Sequence, residues 1–86
     1  MKDLNGKVAV ITGAGSGFGR EFARLGAREG MKLVLADVQR EALDAVVAEL
    51  GGAGAEVIGE IVDVADSAQV ARLADRAFQT FGPVHL

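Results

Sequence analysis

Directly after the apolar stretch Val8-Ala9-Val10-Ile11 the chain runs Thr12-Gly13-Ala14-Gly15-Ser16-Gly17-Phe18-Gly19. That junction reads as a phosphate-binding turn joining a strand to a helix. Backbone amides at a helix N-terminus point outward unpaired, and the helix dipole adds partial positive charge. A pyrophosphate can sit there if no Cβ blocks its approach. Glycines 13, 17 and 19 remove that obstruction. Loops and tight helix-to-sheet packing also use glycine, so the pattern gains its meaning from context. A strand precedes the run, a helix follows it, and an acid, Asp37, closes the second strand at the roughly 20-residue offset expected of a ribose ligand.

Strand-like and helix-like patterns alternate from end to end with no linker or low-complexity tract, which makes residues 1–86 one α/β unit. Lys7 to Thr12 is a β-branched apolar run without polar alternation, as expected of a central strand covered on both faces. From Gly17 to Glu29, Phe18, Phe22 and Leu25 form one stripe of a helix and Arg20, Arg24 and Arg28 another, with Gly30 suited to its cap. Lys32 to Ala36 is a second strand. Leu43, Val46, Val47 and Leu50 then fall at i, i+3, i+4 and i+7, the spacing of a second amphipathic helix. Glu56 to Val62 resumes strand character, and Gly59 and Glu60 within it blunt an exposed edge. Asp66-Ser67-Ala68-Gln69 resembles a capping box, after which Val70, Leu73, Ala74, Ala77 and Phe81 share a helix face that ends at Gly82-Pro83. Val84-His85-Leu86 is a stub of a fourth strand. Right-handed crossovers then give half of a Rossmann-type doubly wound sheet, β-α-β-α-β-α, with three parallel strands in the order 3-2-1.

Nine Lys and Arg against twelve Asp and Glu leave a net charge of −3, so no basic surface invites nucleic acid or an anionic membrane. There is no cysteine and one histidine, hence no disulfide framework and no expected metal site. With neither a signal core nor a spanning apolar run, the expectation is a cytoplasmic protein.

Three positions, Ser16, Asp37 and Asp63, carry chemistry with alternatives attached. Ser16 either reaches phosphate or stabilises the loop, and Thr12 can fix the turn through its hydroxyl. Asp37 either caps the second helix or accepts hydrogen bonds from both ribose hydroxyls. In the second role it repels a 2′-phosphate by about 4 kcal/mol at about 4 Å and an effective dielectric of about 20, which favours NAD over NADP. Arg20 and Arg40 are the counter-evidence, though both fit solvated helix faces better. Asp63 either forms a turn or accepts a hydrogen bond from an adenine amino group, with Val64 packed near the base, while Asp66 reads as a cap. His85, lone and near the chain end, reads as solvated.

Thr-Gly-x-x-x-Gly-x-Gly at 12–19, Asp37 and Asp63-Val64 together resemble the N-terminal half of a short-chain dehydrogenase/reductase, over the whole chain. The resemblance implies that Gly13, Gly17 and Gly19 bind the pyrophosphate of NAD, that Asp37 selects NAD, and that Asp63 contacts adenine. Phe18, part of the same cofactor-binding turn, stands where the family carries a smaller aliphatic, and His85 where an Asp is commoner. The family's Asn-Asn-Ala-Gly segment, its catalytic serine and its Tyr-x-x-x-Lys pair have no counterpart here, and the 86 residues contain no tyrosine. The expectation is a unit that binds NAD without turnover. Two alternatives stand beside it: an oxidoreductase part active only with the missing half, and an assembly unit whose nucleotide site is unused. Since the fourth strand is only a stub, the edge of Lys7 to Thr12 is expected to pair with its counterpart in a homodimer, or the stub to be exchanged between chains.

Overall fold

The computed structural model describes residues 4–83. Three strands and three helices alternate: β1 (Val8–Thr12), α1 (Gly17–Arg28), β2 (Lys32–Asp37), α2 (Arg40–Gly52), β3 (Val57–Ile61) and α3 (Ser67–Phe81). The strands form one parallel sheet in the order β1-β2-β3, with Val8 opposite Lys32 and Leu33 opposite Val57. This is the expected 3-2-1 order with the expected helices between. The fourth-strand stub and His85 lie outside the described residues.

The sequence of β2 explains why it sits in the middle. Leu33, Val34, Leu35 and Ala36 are all fully buried, and the two-residue period of a strand sends them alternately to opposite faces. Leu33 and Leu35 join Ala9, Ala14, Ala23, Leu43, Val46 and Leu50 in the core under α1 and α2. Val34 and Ala36 join Val62, Leu73 and Ala77 under α3 on the other face. β2 is covered on both faces along its length, and β1 over Val8 and Ala9, which point to opposite faces and are both buried. β1 lies at the edge of the described sheet, and its burial declines from Val8 to an exposed Thr12.

Both helices on the first face end alike. The Met31 amide donates to the Gly26 carbonyl at 3.0 Å and the Gly30 amide to Ala27 at 3.1 Å, with Gly30 at φ +76°. Ala55 to Leu50 and Gly54 to Gly51 repeat the pattern at the end of α2, with Gly54 at φ +96°. These paired bonds satisfy the last carbonyls and turn the chain back toward the sheet, and the left-handed residue they require is glycine.

Two local readings are corrected. The Phe18, Phe22, Leu25 stripe of α1 does not face the sheet, for these residues are 85%, 60% and 48% exposed. Ala23 and Gly26 face it instead, because α1 lies so close that a Cβ on Gly26 would stand 3.0 Å from Leu33 Cδ2. Only small residues fit beneath such a helix. Gly59, read as a device of the sheet edge, answers to α2: a Cβ there would meet Val47 Cγ2 at 2.8 Å.

The arginine stripe of α1 is not simply solvated either. Arg24 donates to both carboxylate oxygens of Glu49 on α2, at 2.8 and 2.9 Å, and to Glu21 at 2.7 Å, tying the two helices together. The Glu49 hydrogen bonds hold the guanidinium far above its ordinary pKa. Across the other face Arg76 of α3 reaches Glu60 of β3 at 3.2 Å.

Candidate functional site

The turn after β1 is stitched to the sheet. The Ala14 amide donates to the Ala36 carbonyl at 3.0 Å, extending the β1–β2 ladder past the last strand residue and burying Ala14 completely. On either side of it the backbone leaves ordinary space: Gly13 has φ +65° and Gly17 φ +57°. A side chain at these positions would be strained, yet a Cβ would have nothing within 4 Å. The space in front of the turn is open. Gly19 is required for another reason, since its Cβ would run into the Gly13 carbonyl as the first turn of α1 folds over the loop.

Ser16 is the N-cap of α1, extended at φ −159°, and its side chain makes no capping bond. The Arg20 amide donates to the Ser16 carbonyl at 3.3 Å. The amides of residues 17–19 come before the helix's own ladder and point off its end. No acidic residue stands in this first turn to neutralise the positive end of the dipole. Phe18 is almost fully exposed beside these amides. Arg20 turns toward Glu21, Nε to Oε2 at 3.9 Å, and Arg40 is exposed at the start of α2.

Asp37, the last residue of β2, faces this turn. Its Oδ2 accepts from the Gly15 amide at 2.9 Å and its Oδ1 from the Gln39 amide at 3.0 Å. The N-cap of α2 is Gln39, so Asp37 is not the cap that its position allowed. Partial burial pushes its carboxyl up, but the amides of Gln39, Gly15 and Val38 outweigh that and hold the pKa below its ordinary value.

At the end of β3 two aspartates share one glutamine. Asp66 caps α3, accepting from the amides of Ala68 at 2.9 Å and Gln69 at 3.3 Å. The Gln69 side chain donates to Asp66 Oδ2 at 3.1 Å and accepts from the Asp63 amide at 2.8 Å. Asp63 Oδ1 accepts from the Ala65 amide at 2.9 Å, the turn-forming role, and Val64 between them is exposed. The capping-box pattern is realised with a difference: its glutamine reaches back to Asp63 rather than to the cap residue's own amide.

Since the strands are parallel, the glycine turn, Asp37 and Asp63-Val64 all lie at the carboxyl edge of the sheet, where doubly wound folds take their ligands. A cavity of about 680 Å³ lies at the other edge, among Gly6, Arg28, Met31, Lys32, Ala53 and Glu56, and touches none of these residues. Among the described residues no cluster of His, Cys, Asp or Glu could hold a metal ion, and no helix is long and apolar enough to cross a membrane. Gly15 is the residue that reading by spacing overlooks. It lies inside the glycine run, but nothing local shows that its amide bonds Asp37 or that its missing side chain clears Ala42.

Comparison with known proteins agrees with this geometry. The family model described as short chain dehydrogenase matches residues 7–86. A C alpha-dehydrogenase of Sphingobium sp. is 43% identical over 82 residues, covering 95% of this chain and 27% of that protein. A cyclohexanol dehydrogenase of Acinetobacter sp. is 38% identical over 83 residues, covering 96% and 33% respectively. The chain thus spans about a third of the length of the curated relatives it matches. The crystal structure of a short chain dehydrogenase/reductase from Burkholderia phymatum in complex with NAD superposes with a TM-score of 0.96 at 62% identity, over 99% of this chain and 30% of that one. With the family model matched over residues 7–86, this chain belongs to the short-chain dehydrogenases.

Proposed function

We propose that this chain holds the ADP part of NAD. The observation that carries the reading is the turn itself: Gly13 and Gly17, left-handed and open in front, beside the unneutralised amides at the start of α1. The pyrophosphate is assigned to those amides, with the Ser16 hydroxyl turned toward it and Phe18 packed on the cofactor. Gly19 lets the helix close over the turn. The ribose hydroxyls are assigned to Asp37, whose ionised carboxylate disfavours a 2′-phosphate, and the adenine to Asp63 and Val64. The cofactor, when bound, supplies hydride chemistry. The proton transfer that must accompany it falls, in the family, to a tyrosine, and these 86 residues contain no tyrosine. Binding without turnover is therefore the activity we assign to them.

Titration calorimetry tests this. NAD is expected to bind weakly, because association must still overcome lost translational and rotational freedom with few contacts, and NADP more weakly still. Gly17→Val, which puts a β-branched side chain at φ +57°, is expected to abolish binding. Normal binding by that variant would make the loop a plain structural turn. Sustained NADH production by the chain, lost in Gly17→Val, would contradict the absence of turnover.

A homodimer is a further part of the proposal, favoured by one observation. Among the described residues β1 takes β2 as its strand partner, and its half-buried Val10 and Ile11 are the residues along which a second copy is proposed to pair.

A further inference from the structure

Of the glycines in the run, Gly15 has no backbone reason to be glycine, since its φ is not in the left-handed region. What it lacks room for is a side chain. A Cβ there would stand 2.9 Å from Ala42 Cβ, 3.0 Å from Asp37 Oδ2 and 3.2 Å from the Leu43 nitrogen. Its amide meanwhile donates to Asp37 across 22 residues of sequence. Gly13 and Gly17 have open space where Gly15 has three neighbours, so Gly15 serves the end of β2 and the start of α2 rather than the turn.

The consequence falls on the carboxylate. One oxygen of Asp37 is held from the glycine turn and the other from Gln39 at the start of α2, so two elements fix the plane of the group before any ligand arrives. The Val38 amide adds to the two, and the group keeps acceptor capacity for a further donor. A carboxylate held this way need not be ordered on binding, and its charge stays where it is aimed.

We propose that Gly15 is a positioning residue for cofactor selection: its amide and its missing side chain hold the Asp37 carboxylate in the orientation that accepts the ribose hydroxyls and repels a 2′-phosphate. This rests on the assignment of the ribose to Asp37 made above. Discrimination between NAD and NADP then belongs to the pair, and an acid at position 37 without a bare residue at 15 discriminates less.

A double-mutant cycle measured by calorimetry with both cofactors tests it, using Gly15→Ala, Asp37→Ala and the combination. Gly15→Ala keeps the amide but sets a Cβ 3.0 Å from Asp37 Oδ2, and the displaced carboxylate is expected to reduce the NAD-over-NADP preference by up to roughly tenfold, the scale of losing one hydrogen bond to a charged group. In the Asp37→Ala background the same substitution is expected to leave the remaining preference unchanged. Equal losses for both cofactors in both backgrounds would reduce Gly15 to a packing residue and overturn the proposal while leaving the role of Asp37 intact. A preference unchanged by Asp37→Ala itself would instead remove the ribose assignment and the proposal with it. Gly15→Ala with Ala42→Gly relieves the shortest of the three contacts and keeps the test open if the single variant does not fold. The narrowed preference is expected to persist there, and its full restoration would assign the effect to Ala42 and overturn the proposal.

Discussion

Asp66 accepts from two backbone amides and the Gln69 side chain, and its titration reports on the start of α3. The Gln69 amide and side chain, with the Ala68 amide and the nearby Arg72 charge, hold its pKa below the ordinary 3.8 despite opposing desolvation, and Asp37 is shifted the same way. A folded-state pKa below the unfolded one means stability that is fully present above the unfolded value and lost as pH falls through the folded one. The thermal midpoint, followed by circular dichroism, should therefore fall as the pH drops below about 5. Asp66→Asn, which still caps but does not titrate, should flatten part of that fall. An unchanged slope would show that the cap is not the group being lost. At this scale legibility depended on distance. Gly13, Gly17 and Gly19 could be picked out by spacing because their constraints are local or lie within one turn. Gly15 and Gly59 could not, because what demands glycine there is Ala42 or Val47, far along the chain.

The helices show how an apolar stripe and a buried face can part company. Leu43, Val46 and Leu50 of α2 were legible because α2 packs through large side chains, and Leu73 and Ala77 of α3 likewise. α1 packs through Ala23 and Gly26, which a search for large apolar residues passes over. The same close packing sets opposite expectations for two glycines on α2 and β3. Gly59→Ala pushes a methyl against Val47 and should destabilise by about 1–3 kcal/mol, the usual scale of overpacking. Gly52→Ala, in the last turn of α2 with nothing within 4 Å, should stabilise by about 0.5–1 kcal/mol by restricting the unfolded chain. Urea midpoints that move in the same direction for both would show that α2 is not seated on β3 as described.

For the molecule as a whole, the order of elements and the sheet topology were legible, because crossover handedness and apolar runs leave little choice once the elements are recognised. The β1 strand is where the homodimer proposal stands or falls. Sedimentation at micromolar concentration should show a dimer, and Val10→Lys, which places a charge on the edge strand, should shift it toward monomer. A folded monomer in the first case would remove the dimer, and an intact dimer in the second would move the interface elsewhere.

The register has a consequence for how this architecture is reached. Every rung of the ladder joins residues separated by a complete helix, as Val8 and Lys32 or Leu33 and Val57 are, and no hairpin brings two strands together cheaply. The sheet cannot nucleate on a turn. α1 and α2 act as the closing segments, so substitutions that weaken them should slow folding even where they leave every strand contact untouched.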